Sequence, residues 1–107
     1  MANFNSSLSP ARQLLIREMQ IVNFGRIENL EIQDGEPVIN PKPRVVREIK
    51  FGGENGPRLE LGNSNFLLKS QVVELFAYFD KLQNGEIEYL EVKHGLPFRM
   101  DVSDLPA

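Results

Sequence analysis

The chain contains no cysteine, which excludes disulfide staples, thiolate metal ligands and cysteine nucleophiles. His94 is the only histidine, so no second imidazole is available to complete a metal site. No apolar run approaches the roughly 20 residues that a bilayer-spanning helix requires. Met1 to Ser7 has neither the basic nor the apolar region of a secretory signal. The expectation is a soluble cytoplasmic protein without membrane partners, although the lack of cysteine is compatible with any compartment.

What is present fits one globular domain over residues 1–107. With 41% hydrophobic and 25% charged residues the chain is too apolar for disorder and long enough to bury a core. The net charge of −3 argues mildly against a general nucleic-acid binder. That charge is unevenly placed. Between Pro41 and Arg58, five cations (Lys42, Arg44, Arg47, Lys50 and Arg58) face only Glu48 and Glu54, so the segment carries +3 inside an otherwise acidic chain.

"GRIENLEIQDGEPV" (Gly25 to Val38) and "GEIEYLEVKHGLPF" (Gly85 to Phe98) share seven identities in fourteen aligned positions, where average usage predicts about one. The same offset of 60 holds upstream. Leu15, Ile16, Met19 and Val22 fall opposite Leu75, Phe76, Phe79 and Leu82, and each set follows one helix face. The second stripe extends back through Val72 and Leu68. Ser9-Pro10 reads as N-cap and N1 of the first helix, and Asn63 or Ser64 as cap of the second. Both helices run out before Gly25 and Gly85, where a left-handed C′ glycine is expected. Asp34-Gly35 and His94-Gly95 are hairpin turns of the type needing positive φ at both central positions. Ile27, Leu30 and Ile32 cannot share one face of a regular strand, nor can Ile87, Leu90 and Val92. A bulge near Glu28-Asn29 and Glu88-Tyr89, or a strand that begins properly only at Leu30 and Leu90, reconciles them. Pro37 and Pro97 suit edge positions of the return strands.

Between the repeats, "RVVREIKF" (Arg44 to Phe51) reads as a strand, "GGENGP" as a loop and Leu59 to Leu61 as a short returning strand. The expected order is α-β-β-β-β-α-β-β: a first αββ unit at about 9–39, a basic β insert at 40–62 and a second αββ unit at about 64–102. The fold class is α+β, a two-layer sandwich with two helices on one face of a mainly antiparallel sheet, built by internal duplication of the αββ unit.

The run of Gly25, Ile27, Leu30, Ile32, Asp34, Gly35 and Val38 resembles the small bacterial YezD-like proteins, which are helix-plus-hairpin chains. The resemblance covers roughly residues 10–40 and more weakly 68–100; residues 41–62 have no counterpart. That family has no established activity, so the likeness implies a fold and no chemistry.

Catalytic motifs are lacking. His94 reads as a general base or, more simply, as the turn residue that Asp34 is in the other repeat. Glu28, Glu31, Glu88 and Glu91 suggest an acid–base pair or, more simply, cross-strand pairing with cations and blunting of sheet edges. "GGENGPR" has neither the Walker spacing nor a following helix and reads as a hairpin connection. Alternation places Arg44, Val46, Glu48 and Lys50 on one strand face and Val45, Arg47, Ile49 and Phe51 on the other. If the second face covers the core, Arg44 and Lys50 project outward with Arg58 nearby, a small anion-gripping patch unless the glutamates neutralise it. Phe51 offers a base-stacking surface but by alternation belongs to the core. Tyr78 and Phe66 lie off the helical stripe and offer a subunit contact.

The sequence therefore points to a non-enzymatic binding module with a protein partner or itself as partner, a homo-oligomer, with no catalytic, cofactor or metal residues. The alternative is a nucleic-acid-binding accessory protein acting through Lys42, Arg44, Arg47, Lys50 and Arg58.

Overall fold

The structure is a computed structural model and describes residues 8–53 and 70–104. Helix α1 (Pro10–Val22) starts where expected. Ser9 is extended, its Oγ accepts from the Arg12 amide at 3.2 Å, and Pro10 supplies the first helical φ without a wasted N–H. Strands β1 (Gly25–Gln33), β2 (Glu36–Pro37) and β3 (Arg44–Arg47) follow, then α2 (Ser70–Leu82), β4 (Gly85–Lys93) and β5 (Leu96–Asp104). The expected cap at Asn63 or Ser64, Leu68, and the returning strand at 59–61 lie outside the described residues.

All strand pairs are antiparallel. Among the described residues β1 and β4 are central, β5 forms one margin, and β2 and β3 pair with opposite ends of the other edge of β1. Leu15, Ile16, Met19 and Val22 of α1 and Val72, Leu75, Phe76 and Phe79 of α2 form one core with Ile27, Leu30, Ile32, Ile87, Leu90 and Val92 of the sheet. The fold is the expected α+β arrangement, helices against one face of an antiparallel sheet.

The bulges solve the periodicity problem in the two strands differently. Asn29 adopts φ +58, and the β1–β4 ladder skips it and Glu88 opposite, so Ile27, Leu30 and Ile32 all reach the core. In β4 the register against β5 shifts between Ile87 and Tyr89. The β1–β4 register is also self-complementary at the offset of 60. Gly25 faces Val92 and Ile32 faces Gly85; Ile27 faces Leu90 and Leu30 faces Ile87.

Two expectations are corrected. Strand β3 ends at Arg47 rather than at Phe51, because Arg47 already faces Gly25, where β1 begins. Beyond it the Glu48 amide bonds Phe24 O and the chain turns at Lys50 to Gly53. Phe51 is therefore 98% exposed, and Ile49 47%, rather than in the core. Nor is the left-handed residue at the helix ends a glycine. Asn23 (φ +62, ψ −61) and Gln83 (φ +64) take that role. Phe24 N–H to Val22 O at 2.6 Å and Asn84 N–H to Leu82 O at 2.7 Å close three-residue turns around them. A γ-turn with positive φ is the strained form, and it reverses the chain in fewer residues than a glycine cap does.

Gly25 serves instead to let strands meet. A Cβ there would lie 2.1 Å from Val46 O. β3 docks only because that position has no side chain.

Candidate functional site

The sheet face away from the helices is uncovered by any described element, and the ladder places its side chains in rows. One row runs Arg44, Glu28, Tyr89, Asp101, and the next Val46, Arg26, Glu91, Arg99. Arginines and carboxylates interleave, and the salt bridges follow from that. Glu28 receives Arg26 at 2.5 Å and Arg44 at 3.4 Å, and Arg99 Nε donates to Glu91 Oε1 at 2.9 Å. That bond to Glu91, with further attraction from Tyr89, raises the Arg99 guanidinium above its ordinary pKa. Glu31 accepts from Gln33 at 2.8 Å, and Glu88 accepts from the Ser103 hydroxyl. Glu28 and Glu91 thus pair across strands with cations, the simpler of the two readings, whereas Glu31 and Glu88 hold neutral partners. A concavity of about 500 Å³ lies over Arg26, Arg47, Tyr89, Glu91 and Arg99.

The four described members of the five basic residues singled out from the sequence do not form one patch. Lys42 reaches Glu18 of α1 at 3.4 Å, and Arg44 is held by Glu28. Arg47 faces Gly25 across the ladder and lines the concavity with Arg26, Tyr89 and Arg99. Lys50, beyond the strand, sits 5.8 Å from the centroid of the Phe24 ring. Arg58 lies outside the described residues, as does Phe66. His94 holds the turn at φ +58 and meets Phe24 edge-on at 4.8 Å. Among the described residues, no group of three or more His, Asp or Glu side chains is arranged to hold a metal ion. No helix among them is long and apolar enough to cross a membrane.

At the β5 margin the surface changes character. A cleft of about 250 Å³ opens between α2 and β5, lined by Leu75, Tyr78, Leu90, Pro97, Phe98 and Met100. Phe98 is the extra residue of a bulge, since Glu91 faces Arg99 while Val92 faces Pro97, and it is 58% exposed beneath Lys93 Nζ at 4.1 Å. Tyr78, read as an off-stripe aromatic, lines this cleft.

Sequence reasoning missed Arg12. Its side chain, 13% exposed, donates to Gly35 O at 2.8 Å and Asp80 Oδ1 at 2.6 Å, and its guanidinium lies 5.1 Å over the Phe76 ring. It ties α1, the first hairpin and α2 together. The only sequence signal was an arginine at a helix position next to the core stripe.

No protein-family model, curated protein or solved structure matches the chain.

Proposed function

We propose that this protein is a non-enzymatic binding module that self-associates. The observation that carries the reading is the β5 margin: a nine-residue strand that, among the described residues, pairs only with β4 and is flanked by exposed Phe98 and Tyr78. A long unpaired edge beside apolar side chains is the surface on which sheet proteins recruit another strand. The open sheet face is a poorer candidate for a nucleic-acid chain. Glu28, Glu31, Glu48, Glu86, Glu88, Glu91 and Asp101 outnumber Arg26, Arg44, Arg47, Lys93 and Arg99 there, and phosphates require the opposite balance.

Internal duplication of an αββ unit belongs to the same reading. The self-complementary β1–β4 register and the matching helix-end turns at Asn23 and Gln83 support a single-unit ancestor that paired about a two-fold axis before fusion. Sedimentation equilibrium of the full chain from micromolar to millimolar concentration tests self-association. A reversible rise in mass is expected; a monomer throughout the range overturns the reading.

A further inference from the structure

The charge pattern of β5 selects a partner and a register. Past the bulge at Phe98, β5 keeps its own two-residue alternation from Arg99 to Asp104, the second register shift falling on β4 at Glu88. Pro97 and the bulge blunt only its beginning, so among the described residues the second half remains a usable edge. Arg99 and Asp101 both project to the open face, in the rows of Glu91 and Tyr89, with Met100 between them on the helix side opposite Leu90. Arg99 reaches Glu91, whereas Asp101 enters no ion pair among the described residues.

Consider this edge against the same edge of a second copy, antiparallel, with both helical layers on one side of a continuous sheet. Side chains of one face then meet side chains of the same face, so the two-fold axis must pass through a residue. An axis at Arg99 or at Asp101 sets like charges directly opposite each other, and one at Val102 sets Asp101 against Ser103. An axis at Met100 sets Arg99 of each chain against Asp101 of the other, twice. It also brings the two Met100 side chains together beside the apolar clefts, where the soft thioether accommodates imperfect fit, and places Phe98 opposite Val102.

We infer that β5 pairs antiparallel with β5 of a second copy about a two-fold axis at Met100, held in register by reciprocal Arg99–Asp101 pairs. This rests on the self-association proposed above and names its surface. Opposite charges directly across a strand pair favour the register and like charges disfavour it, so the edge is selective as well as available.

Charge exchange on the full chain tests it. Arg99→Asp gives a chain with two acidic residues flanking Met100, and Asp101→Arg gives one with two basic residues. Each variant alone is expected to lose self-association by at least about tenfold, the effect of juxtaposed like charge. An equimolar mixture is expected to form a one-to-one heterodimer, read by native mass spectrometry with one variant isotopically labelled. The doubly exchanged chain is expected to recover the wild-type homodimer. Formation of the heterodimer also shows that both variants fold. A wild-type dimer indifferent to both substitutions, or variants that stay apart when mixed, overturns the β5 register while leaving self-association intact. A wild-type monomer removes both.

Discussion

The Gly35 amide donates to the carbonyl of Gln83 at 2.8 Å, fastening the turn of the first hairpin to the end of the second helix. The reverse fastening exists as well, Gly95 N–H to Asn23 O at 3.0 Å. Each accepting carbonyl belongs to the residue at the centre of a strained helix-end turn, and each donor to the second residue of a positive-φ hairpin turn. The strain at Asn23 and Gln83 thus aims a helix-terminal carbonyl at a partner 72 or 48 residues away in the chain.

Gly35→Ala and Gly95→Ala are expected to loosen these clasps by similar amounts. At Gly35 a Cβ has room, with Gln83 Nε2 the nearest atom at 3.4 Å, so the cost there is that of forcing φ +78 on an alanine. Gly95 sits at φ +73. A left-handed conformation costs an L-residue about 1–2 kcal/mol. Urea unfolding of the two variants measures it; a substitution without effect at either turn shows that the clasp there does not constrain the fold.

Gly25 and Gly85 each open a long central strand but differ in what surrounds them. Gly25→Ala drives a Cβ into the backbone of β3, 2.1 Å from Val46 O, whereas at Gly85 the nearest contact is the flexible Leu82 side chain at 3.1 Å. Overpacking against backbone costs about 1–3 kcal/mol or more, and a side chain that gives way costs less. Gly25→Ala is therefore expected to be the more destabilising, with accelerated amide exchange in Arg44 to Arg47. Equal effects would mean that β3 contributes little to stability.

The helix stripes, hairpin turns and bulges were legible in the sequence because each rests on local rules: 3.6-residue spacing, positive φ at Asp-Gly, and a break in two-residue alternation at Glu28-Asn29. The end of β3 was not legible, because it depends on where β1 starts and thus on which strand lies alongside. Phe51 kept the alternation of a core residue after its strand had run out of a partner. Pro97 pointed to an edge at β5, but the charge pattern of that edge was hidden for the same reason. Arg99 and Asp101 become notable only once β5 is known to be an edge, and Arg12 only once the first hairpin is seen to reach α2.

Arg12 joins three elements, so Arg12→Met, which keeps the apolar stem over Phe76 and removes the donors, is expected to cost about 1.5–3 kcal/mol, the range for hydrogen bonds made by a charged group. Asp80→Ala removes only the exposed partner and is expected to cost less than about 1 kcal/mol. Thermal unfolding of the two variants side by side checks the order. If Asp80→Ala proves the worse, the ion pair rather than the bond to Gly35 O carries the effect.

Lys42 and Arg44 are both well exposed despite their carboxylate partners, so Lys42→Ala and Arg44→Ala are each expected to change stability by less than about 1 kcal/mol. Denaturation at low and high salt provides the check. A larger loss at either position would make the basic segment a brace that holds β3 and α1 together.

Asn29 provides the sharpest conflict between local propensity and fold. It lies within β1, where a β-branched residue has the higher strand preference, yet its φ of +58 is hostile to one. Asn29→Val is expected to destabilise by about 1–2 kcal/mol through that backbone term. Asn29→Gly is expected to be neutral or mildly stabilising, since glycine adopts positive φ without a Cβ penalty. Tyr89, 60 residues on in β4, has no positive φ, so Tyr89→Gly is expected to destabilise through loss of strand preference and of its cross-strand neighbours Glu28 and Asp101. Chemical denaturation of the three variants separates the cases. Tolerance of valine at Asn29 would mean that β1 can run straight, and one of Ile27, Leu30 or Ile32 would then have to leave the core.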